Sequence, residues 1–134
     1  MAHWLGWIAA WSIVVAAAIP VGVHLRQRKR AAPDSAPIRL HVVIGTVTAL
    51  VAFGHTLAAL ADLGSSAAIG GGFLALMTGG VAFTIVIAHA GIGLQLRNVR
   101  LRDRARQRKR HVGTAIAIAT VVAAHVWLLR NAAD

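Results

Sequence analysis

The sequence contains no cysteine, and only four of its 134 residues are acidic. Without cysteine, the chain forms no disulfide, no thiolate metal site, no iron–sulfur cluster and no covalently attached c-type haem. Every acidic residue lies outside the long apolar stretches; the four are Asp34, Asp62, Asp103 and Asp134. The apolar stretches therefore offer no carboxylate as a ligand for a metal ion.

Most of what remains is apolar. Hydrophobic residues make up 57% of the chain and the mean hydropathy is +0.68, against about 45–50% apolar residues in an ordinary soluble domain. Four uncharged stretches, 4–25, 40–61, 69–96 and 112–129, have about the length of a bilayer-spanning helix. The pattern predicts one all-α membrane domain, 1–134, folded as an up-down bundle. Its helices are expected at about 4–25, 38–61, 69–97 and 108–130, the last beginning inside a basic linker.

The positive charge is confined to the connections between these stretches. Of the 14 Lys and Arg residues, five lie in 26–39 and eight in 97–110, and only Arg130 lies elsewhere. The net charge of +10 therefore does not indicate nucleic-acid binding. By the positive-inside rule both linkers face the cytoplasm, which predicts a multi-pass inner-membrane protein with both termini outside, in contact with membrane lipid. No positive residue precedes the first stretch, so we expect it to be retained rather than cleaved as a signal peptide.

Two pairs of histidines interrupt the apolar stretches. His41 and His55 are 14 residues apart, and so are His111 and His125. Fourteen residues make nearly four helical turns and rise about 21 Å, so each pair shares one helix face. The predicted topology makes the second and fourth helices parallel and places them diagonally across the bundle. His41 is then level with His111, and His55 with His125.

These histidines have three possible roles: helix packing, binding of a metal ion, and binding of haem. Each histidine can be a polar residue that packs against a neighbouring helix, but equal spacing and matched levels favour a shared function. A metal ion needs ligands that converge at about 2 Å, and the two levels are too far apart to share one ion. Two facing imidazoles at each of two levels suit the iron of two haem b groups. His41, His111, His55 and His125 are therefore the candidate iron ligands.

The paired histidines on parallel helices resemble the dihaem four-helix core of the membrane b-type cytochromes: respiratory cytochrome b, the cytochrome b561 group and the ferric reductases. The resemblance implies glycines on the other two helices, where the haem faces approach. Gly79 and Gly93 have the 14-residue spacing and the expected levels. On the first helix Gly22 is a candidate, but Ile8 stands 14 residues before it.

Two departures from the resemblance are also visible. The P-E-W-Y motif of the quinol site in respiratory cytochrome b is absent, so the sequence does not support a proton-motive Q-cycle. In the bacterial b561 group a ligand also comes from the first helix, where His3 and His24 are the candidates here, both at helix ends.

The remaining candidates lie near the basic linkers. Arg39 and Arg110 adjoin His41 and His111 and are predicted to pair with haem propionates. The alternative for the basic linkers as a whole is that they bind anionic lipid or set the topology. His89 is an interior histidine with two interpretations. It lies at a haem edge or in a proton relay, or it forms a hydrogen bond to a helix carbonyl or to a hydroxyl such as that of Thr84.

The sequence is compatible with three functions. The first is a cytochrome that transfers electrons across the membrane, with a quinone, a small molecule or a redox partner protein as its partner. The second is an oxidoreductase acting on quinone, superoxide or ferric ion at a haem edge. The third is a haem-free membrane scaffold or transporter. No catalytic residue and no oligomeric state is predicted.

Overall fold

A computed structural model describes residues 2–64, 72–98 and 100–132, and four long helices account for most of them. We label them α1 (Ala2–Gln27), α2 (Ala36–Ala61), α3 (Gly72–Gln95) and α4 (Arg104–Asn131). Each is long and apolar enough to cross a membrane. The predicted all-α four-helix architecture is confirmed. Residues 69–71, which were predicted to open the third helix, lie outside the described residues, as does Asp134.

The helix ends follow local signals in the sequence. Helix α2 begins after the N-cap residue Ser35 and carries Pro37 in its first turn, where the missing N–H costs no helical hydrogen bond. Helix α4 begins at Arg104, which confirms that part of the basic linker is helical. The Arg104 guanidinium donates hydrogen bonds to the carbonyl oxygens of Leu96, at 2.6 Å, and Asn98, at 3.3 Å. This arginine therefore satisfies carbonyls at the end of α3.

Helix packing follows the order of the chain. The closest packing lies within the hairpins α1–α2 and α3–α4, followed by α2 against α3, while α1 and α4 touch little. The two hairpins therefore join through α2 and α3, and α2 and α4 lie on a diagonal of the bundle. That arrangement is the one expected for an up-down bundle.

The bundle surface is apolar on all sides. Large hydrophobic side chains are exposed along every helix, for example Trp4 at 71%, Phe73 at 73% and Leu50 at 65%. Such a surface suits lipid as the surrounding solvent, since a helix that is apolar all round belongs in a core or a membrane. Among the residues that the structure describes, few are buried, and the largest of these are Val86 and Ile118.

One residue in every seven along each helix forms a stripe that faces the bundle interior. A strict seven-residue repeat keeps one stripe of each helix against its neighbours. The stripes form three layers, which we name by position. The far layer is Ala2, His55, Ala75 and His125; the middle layer is Ala9, Thr48, Ala82 and Ile118; the basic-end layer, next to the basic linkers, is Ala16, His41, His89 and His111.

The middle layer is closely packed. All four of its side chains are buried, with Thr48 and Ile118 each at 4% exposure. The Thr48 hydroxyl lies 2.9 Å from the Ser12 hydroxyl of α1 and 2.8 Å from the Ile44 carbonyl of its own helix. Its polar group is therefore satisfied, as a buried hydroxyl requires. This layer separates the two histidine layers by two turns of helix on either side.

Candidate functional site

His41 of α2 and His111 of α4 meet across the diagonal of the bundle. Their ring centroids are 6.1 Å apart and their planes are nearly perpendicular, at 87°. Both residues lie near the first turns of their helices, so α2 and α4 run in the same direction. The matching of His55 with His125 in the far layer stays a prediction from the equal spacing.

Three of the four histidines form the same hydrogen bond to a neighbouring helix. In each case ring nitrogen Nδ1 donates to a backbone carbonyl oxygen of the other helix in the hairpin. The pairs are His41 with Ala16 at 2.8 Å, His55 with Ala2 at 2.9 Å and His125 with Ala75 at 2.9 Å. Every acceptor belongs to the same layer as its histidine.

This hydrogen bond determines the tautomer of the neutral ring. A carbonyl oxygen only accepts, so the proton must lie on Nδ1 and the lone pair on Nε2. Histidines that bind metals through Nε2 commonly donate Nδ1–H to a carbonyl in this way, which orients the ring and increases the basicity of the ligand. His41, His55 and His125 are therefore arranged as metal-binding imidazoles are.

The carbonyl of Ala16 has a particular reason to accept a bond from His41. In a regular helix it would accept from the N–H of residue 20, but that residue is Pro20, which has no N–H. Helix α1 nevertheless continues through the proline to Gln27. The proline thus leaves one interior carbonyl without its helical partner, and His41 satisfies it.

Glycines lie where three of the imidazoles press against a neighbouring helix. A Cβ atom on Gly79 would lie 3.0 Å from Cε1 of His125, and one on Gly93 would lie 3.2 Å from Cε1 of His111. These contacts agree with the levels predicted for the two glycines. The group nearest each glycine is a histidine ring, where the sequence predicted a haem face.

Helix α1 also has a glycine that lies against a histidine ring, and it was not predicted from the sequence. A Cβ on Gly6 would lie 3.1 Å from Cε1 of His55. Gly22, which the sequence offers for the basic-end level, would meet nothing within 4 Å among the described residues, and Ile8, which stands 14 residues before it, is about half exposed. The sequence does contain one indication of this role for Gly6: it follows Ala2 by four residues, just as Gly79 follows Ala75.

The centroid separation of His41 and His111 can be compared with that of two imidazoles bound to one metal. An imidazole nitrogen binds a metal at about 2.0–2.1 Å, and the ring centroid lies about 1.1 Å behind the nitrogen. Two imidazoles on opposite sides of one metal therefore have centroids about 6 Å apart. The observed 6.1 Å agrees with that value.

His89 completes the basic-end layer from α3. Its ring is stacked on the ring of His111, with centroids 3.8 Å apart and an interplanar angle of 15°. Its Nδ1 lies 2.8 Å from the hydroxyl of Thr114, which in turn donates to the His111 carbonyl at 3.0 Å. The hydroxyl partner is thus on α4, while Thr84 is exposed and binds the Gly80 carbonyl of its own helix.

The remaining candidates lie at the bundle surface. Arg39 and Arg110 are exposed, one turn or less from their histidines. His3 and His24 are also exposed, and the His3 ring contacts Trp4 and Trp7 at centroid distances of 5.7 and 6.4 Å. The structure therefore does not bring these two histidines into a layer.

The donor set is a pair of imidazoles rather than a metal-ion cage. In the part of the chain that the structure describes, no three side chains of His, Asp or Glu converge as a metal-ion site would require. A pair of imidazoles such as His41 and His111 would instead fit a group that itself supplies four of a metal's six ligands. Comparison with protein families, with curated proteins and with solved structures finds no match for this chain.

Proposed function

We propose that the protein is a dihaem b-type membrane cytochrome that carries electrons between the two sides of a membrane. His41 and His111 are the ligands of one haem, and His55 and His125 of the other. The observation that supports this most strongly is the bond from Nδ1 to a backbone carbonyl at His41, His55 and His125, which leaves Nε2 free to bind iron. A histidine that served only to pack helices would not need the same orientation in both layers.

The chain's residues orient and shield the two sites. The carbonyl bonds hold the rings in place, and Gly6, Gly79 and Gly93 let the rings approach the neighbouring helices. Haem b supplies one-electron ferric–ferrous chemistry when bound. The two layers are about 21 Å apart along the helices, and the middle layer fills the space between them. In the proposed orientation the basic linkers face the cytoplasm.

The basic end also indicates the type of partner. Thirteen of the 14 Lys and Arg residues belong to the linkers at this end. A field of one sign speeds the approach of an oppositely charged partner. The charge therefore favours an acidic redox protein as the electron partner next to the basic-end layer, and a quinone is the alternative that does not depend on charge.

Haem content tests the proposal directly. The purified chain is expected to hold two haem b per polypeptide, both six-coordinate, by pyridine haemochrome analysis and a reduced-minus-oxidised spectrum. Acid-acetone should extract all of the haem, because the chain has no cysteine to hold it. A variant with both His111→Ala and His125→Ala serves as the control and should bind none. One haem or none in the parent protein would contradict the proposal.

The arginines beside the basic-end layer are expected to raise the potential of its haem. A haem propionate at this depth should pair with Arg39 or Arg110, and a nearby cation stabilises the reduced form, which carries one positive charge less. Arg39→Gln or Arg110→Gln should therefore lower the midpoint potential of the basic-end haem and spare the far one, as measured by redox titration.

Arg100 and Arg102 provide the control for this experiment. Both are exposed and lie in the same linker as Arg110, but more residues away from His111. Replacing them with Gln should leave both midpoints unchanged. Arg104 is unsuitable, because its guanidinium bonds to the carbonyls at the end of α3. If the midpoint potentials of both haems shifted equally in the Arg39 or Arg110 variants, the propionates of the basic-end haem would not pair with these arginines.

A further inference from the structure

One position on helices α1 and α3 recurs beside every histidine of the two pairs. It lies four residues after the residue whose backbone the histidine ring meets. In the far layer this position is Gly6, after Ala2, and Gly79, after Ala75; in the basic-end layer it is Gly93, after His89, and Pro20, after Ala16. The three glycines are the ones that lie against histidine rings. Pro20 thus holds the fourth position, where the pattern has a glycine.

Glycine and proline differ here in the backbone N–H. In a helix the N–H of this position donates to the carbonyl four residues before it, which is the carbonyl that the histidine also uses. The carbonyls of Ala2 and Ala75 therefore accept from a glycine N–H of their own helix as well as from a histidine Nδ1–H. The Ala16 carbonyl lacks the helical bond, because Pro20 has no N–H, and accepts from His41 at 2.8 Å.

The proline and the histidine depend on each other. A carbonyl oxygen without a donor is costly in hydrocarbon, so a membrane helix tolerates an interior proline where a neighbouring helix supplies one. His41 supplies it to Ala16. In return, an oxygen that gives its lone pairs to one donor instead of two binds that donor more strongly. The Nδ1–H of His41 is therefore expected to be held more strongly than those of His55 and His125.

We propose that Pro20 is a positioning residue for His41, which leaves the Ala16 carbonyl to this ring alone and so makes its Nδ1–H bond stronger than those of His55 and His125. A stronger bond at Nδ1 increases the basicity of Nε2 and, in an iron ligand, favours the ferric state. Pro20 is then expected to lower the midpoint potential of the basic-end haem. That consequence rests on the proposed haem binding, whereas the hydrogen bonding does not.

Imidazole ¹H and ¹⁵N spectra of the full-length, haem-free chain in lipid nanodiscs test the hydrogen bond itself. The Nδ1–H proton of His41 should resonate downfield of those of His55 and His125. Pro20→Ala and Pro20→Gly both restore a backbone N–H, and each should bring the His41 proton to the position of the other two. Gly22→Ala is the control on the same helix: a Cβ there meets nothing within 4 Å among the described residues, and the His41 signal should not move.

The stability of the haem-free chain gives a second measurement. His41→Ala leaves the Ala16 carbonyl without a donor in the parent protein, but not in the Pro20→Ala protein, where the helical N–H satisfies it. The fall in Tm caused by His41→Ala should therefore be larger in the parent than in the Pro20→Ala background. His55→Ala is the comparison, because its carbonyl acceptor keeps the helical N–H of Gly6, and it should cause the same fall in both backgrounds.

The midpoint potentials are measured in the haem-loaded protein. Pro20→Ala should raise the midpoint of the basic-end haem and leave that of the far haem unchanged in a redox titration. Gly22→Ala should change neither.

The outcomes separate this proposal from the dihaem function. If the His41 proton already coincides with those of His55 and His125 in the parent protein, or if Pro20→Ala leaves it unchanged, the role of Pro20 is overturned and the dihaem function stands. A change in Pro20→Gly alone would also overturn it, because the Cβ and not the N–H would then be the cause. If the parent protein binds no haem, the dihaem function fails, and the spectra still decide how His41 is held.

Discussion

His111→Ala is expected to abolish haem binding in the basic-end layer and to leave the far layer loaded, so that haem content falls from two per chain to about one. The reason is that the proposed function gives His111 one of only two protein ligand positions in its layer. His41, with its ring 6.1 Å away, is the other. Pyridine haemochrome analysis measures the loss, and redox titration shows which of the two components disappears.

The mirror experiment uses the far layer. His55→Ala should remove the far haem and preserve the basic-end haem, because the middle layer separates the two sites with buried side chains. His24→Ala is the matched control, since His24 is exposed at the end of α1 and contributes to no layer. If His111→Ala and His55→Ala removed the same component of the titration, the assignment of the four ligands to two layers would be wrong.

Gly79→Leu is expected to have the second-largest effect, the loss of most haem from the far layer. Even a Cβ at this position lies 3.0 Å from Cε1 of His125, and a leucine side chain adds further atoms in the same direction. The ring must move, which breaks its 2.9 Å bond to the Ala75 carbonyl. Gly6→Leu should act in the same layer through His55, and Gly93→Leu in the basic-end layer through His111.

The neighbouring glycine makes a close control for this prediction. A Cβ on Gly80 would meet nothing within 4 Å among the residues the structure describes, and Gly80 is exposed on the same helix. Gly80→Leu should therefore retain both haems, although it changes helix propensity and hydrophobicity about as much as Gly79→Leu does. If Gly79→Leu also kept both haems and only lowered stability, the glycine would serve helix packing alone.

The four helices follow from the sequence because their causes are local. Long uncharged stretches require internally satisfied backbone in lipid, and Pro37 and the basic linkers mark helix starts. The equal spacing of His41 and His55 and of His111 and His125 depends only on helical period and rise, so their levels were also predictable. The same 14-residue spacing predicted Gly79 at the level of His125 and Gly93 at the level of His111, and the structure has each glycine next to that histidine.

The correspondence between the two hairpins was harder to see in the sequence. The histidines of α2 and α4 are related by an offset of 70 residues, but Ala2 and Gly6 correspond to Ala75 and Gly79 with an offset of 73. Because the connections differ in length, no single alignment superimposes both helices of each hairpin. The role of Gly6 in the far layer was therefore missed; the candidate on the first helix was Gly22, for the basic-end level.

The partners of the histidines were decided by tertiary structure alone. Which carbonyl His41 meets, and whether His89 bonds to Thr84 or to Thr114, depends on how far one helix is shifted and rotated against the next. Periodicity within a helix carries no information about that shift, because it is set by side-chain packing along the whole interface. The sequence by itself determined which residues share a face and a level, and helix packing determined which of them touch.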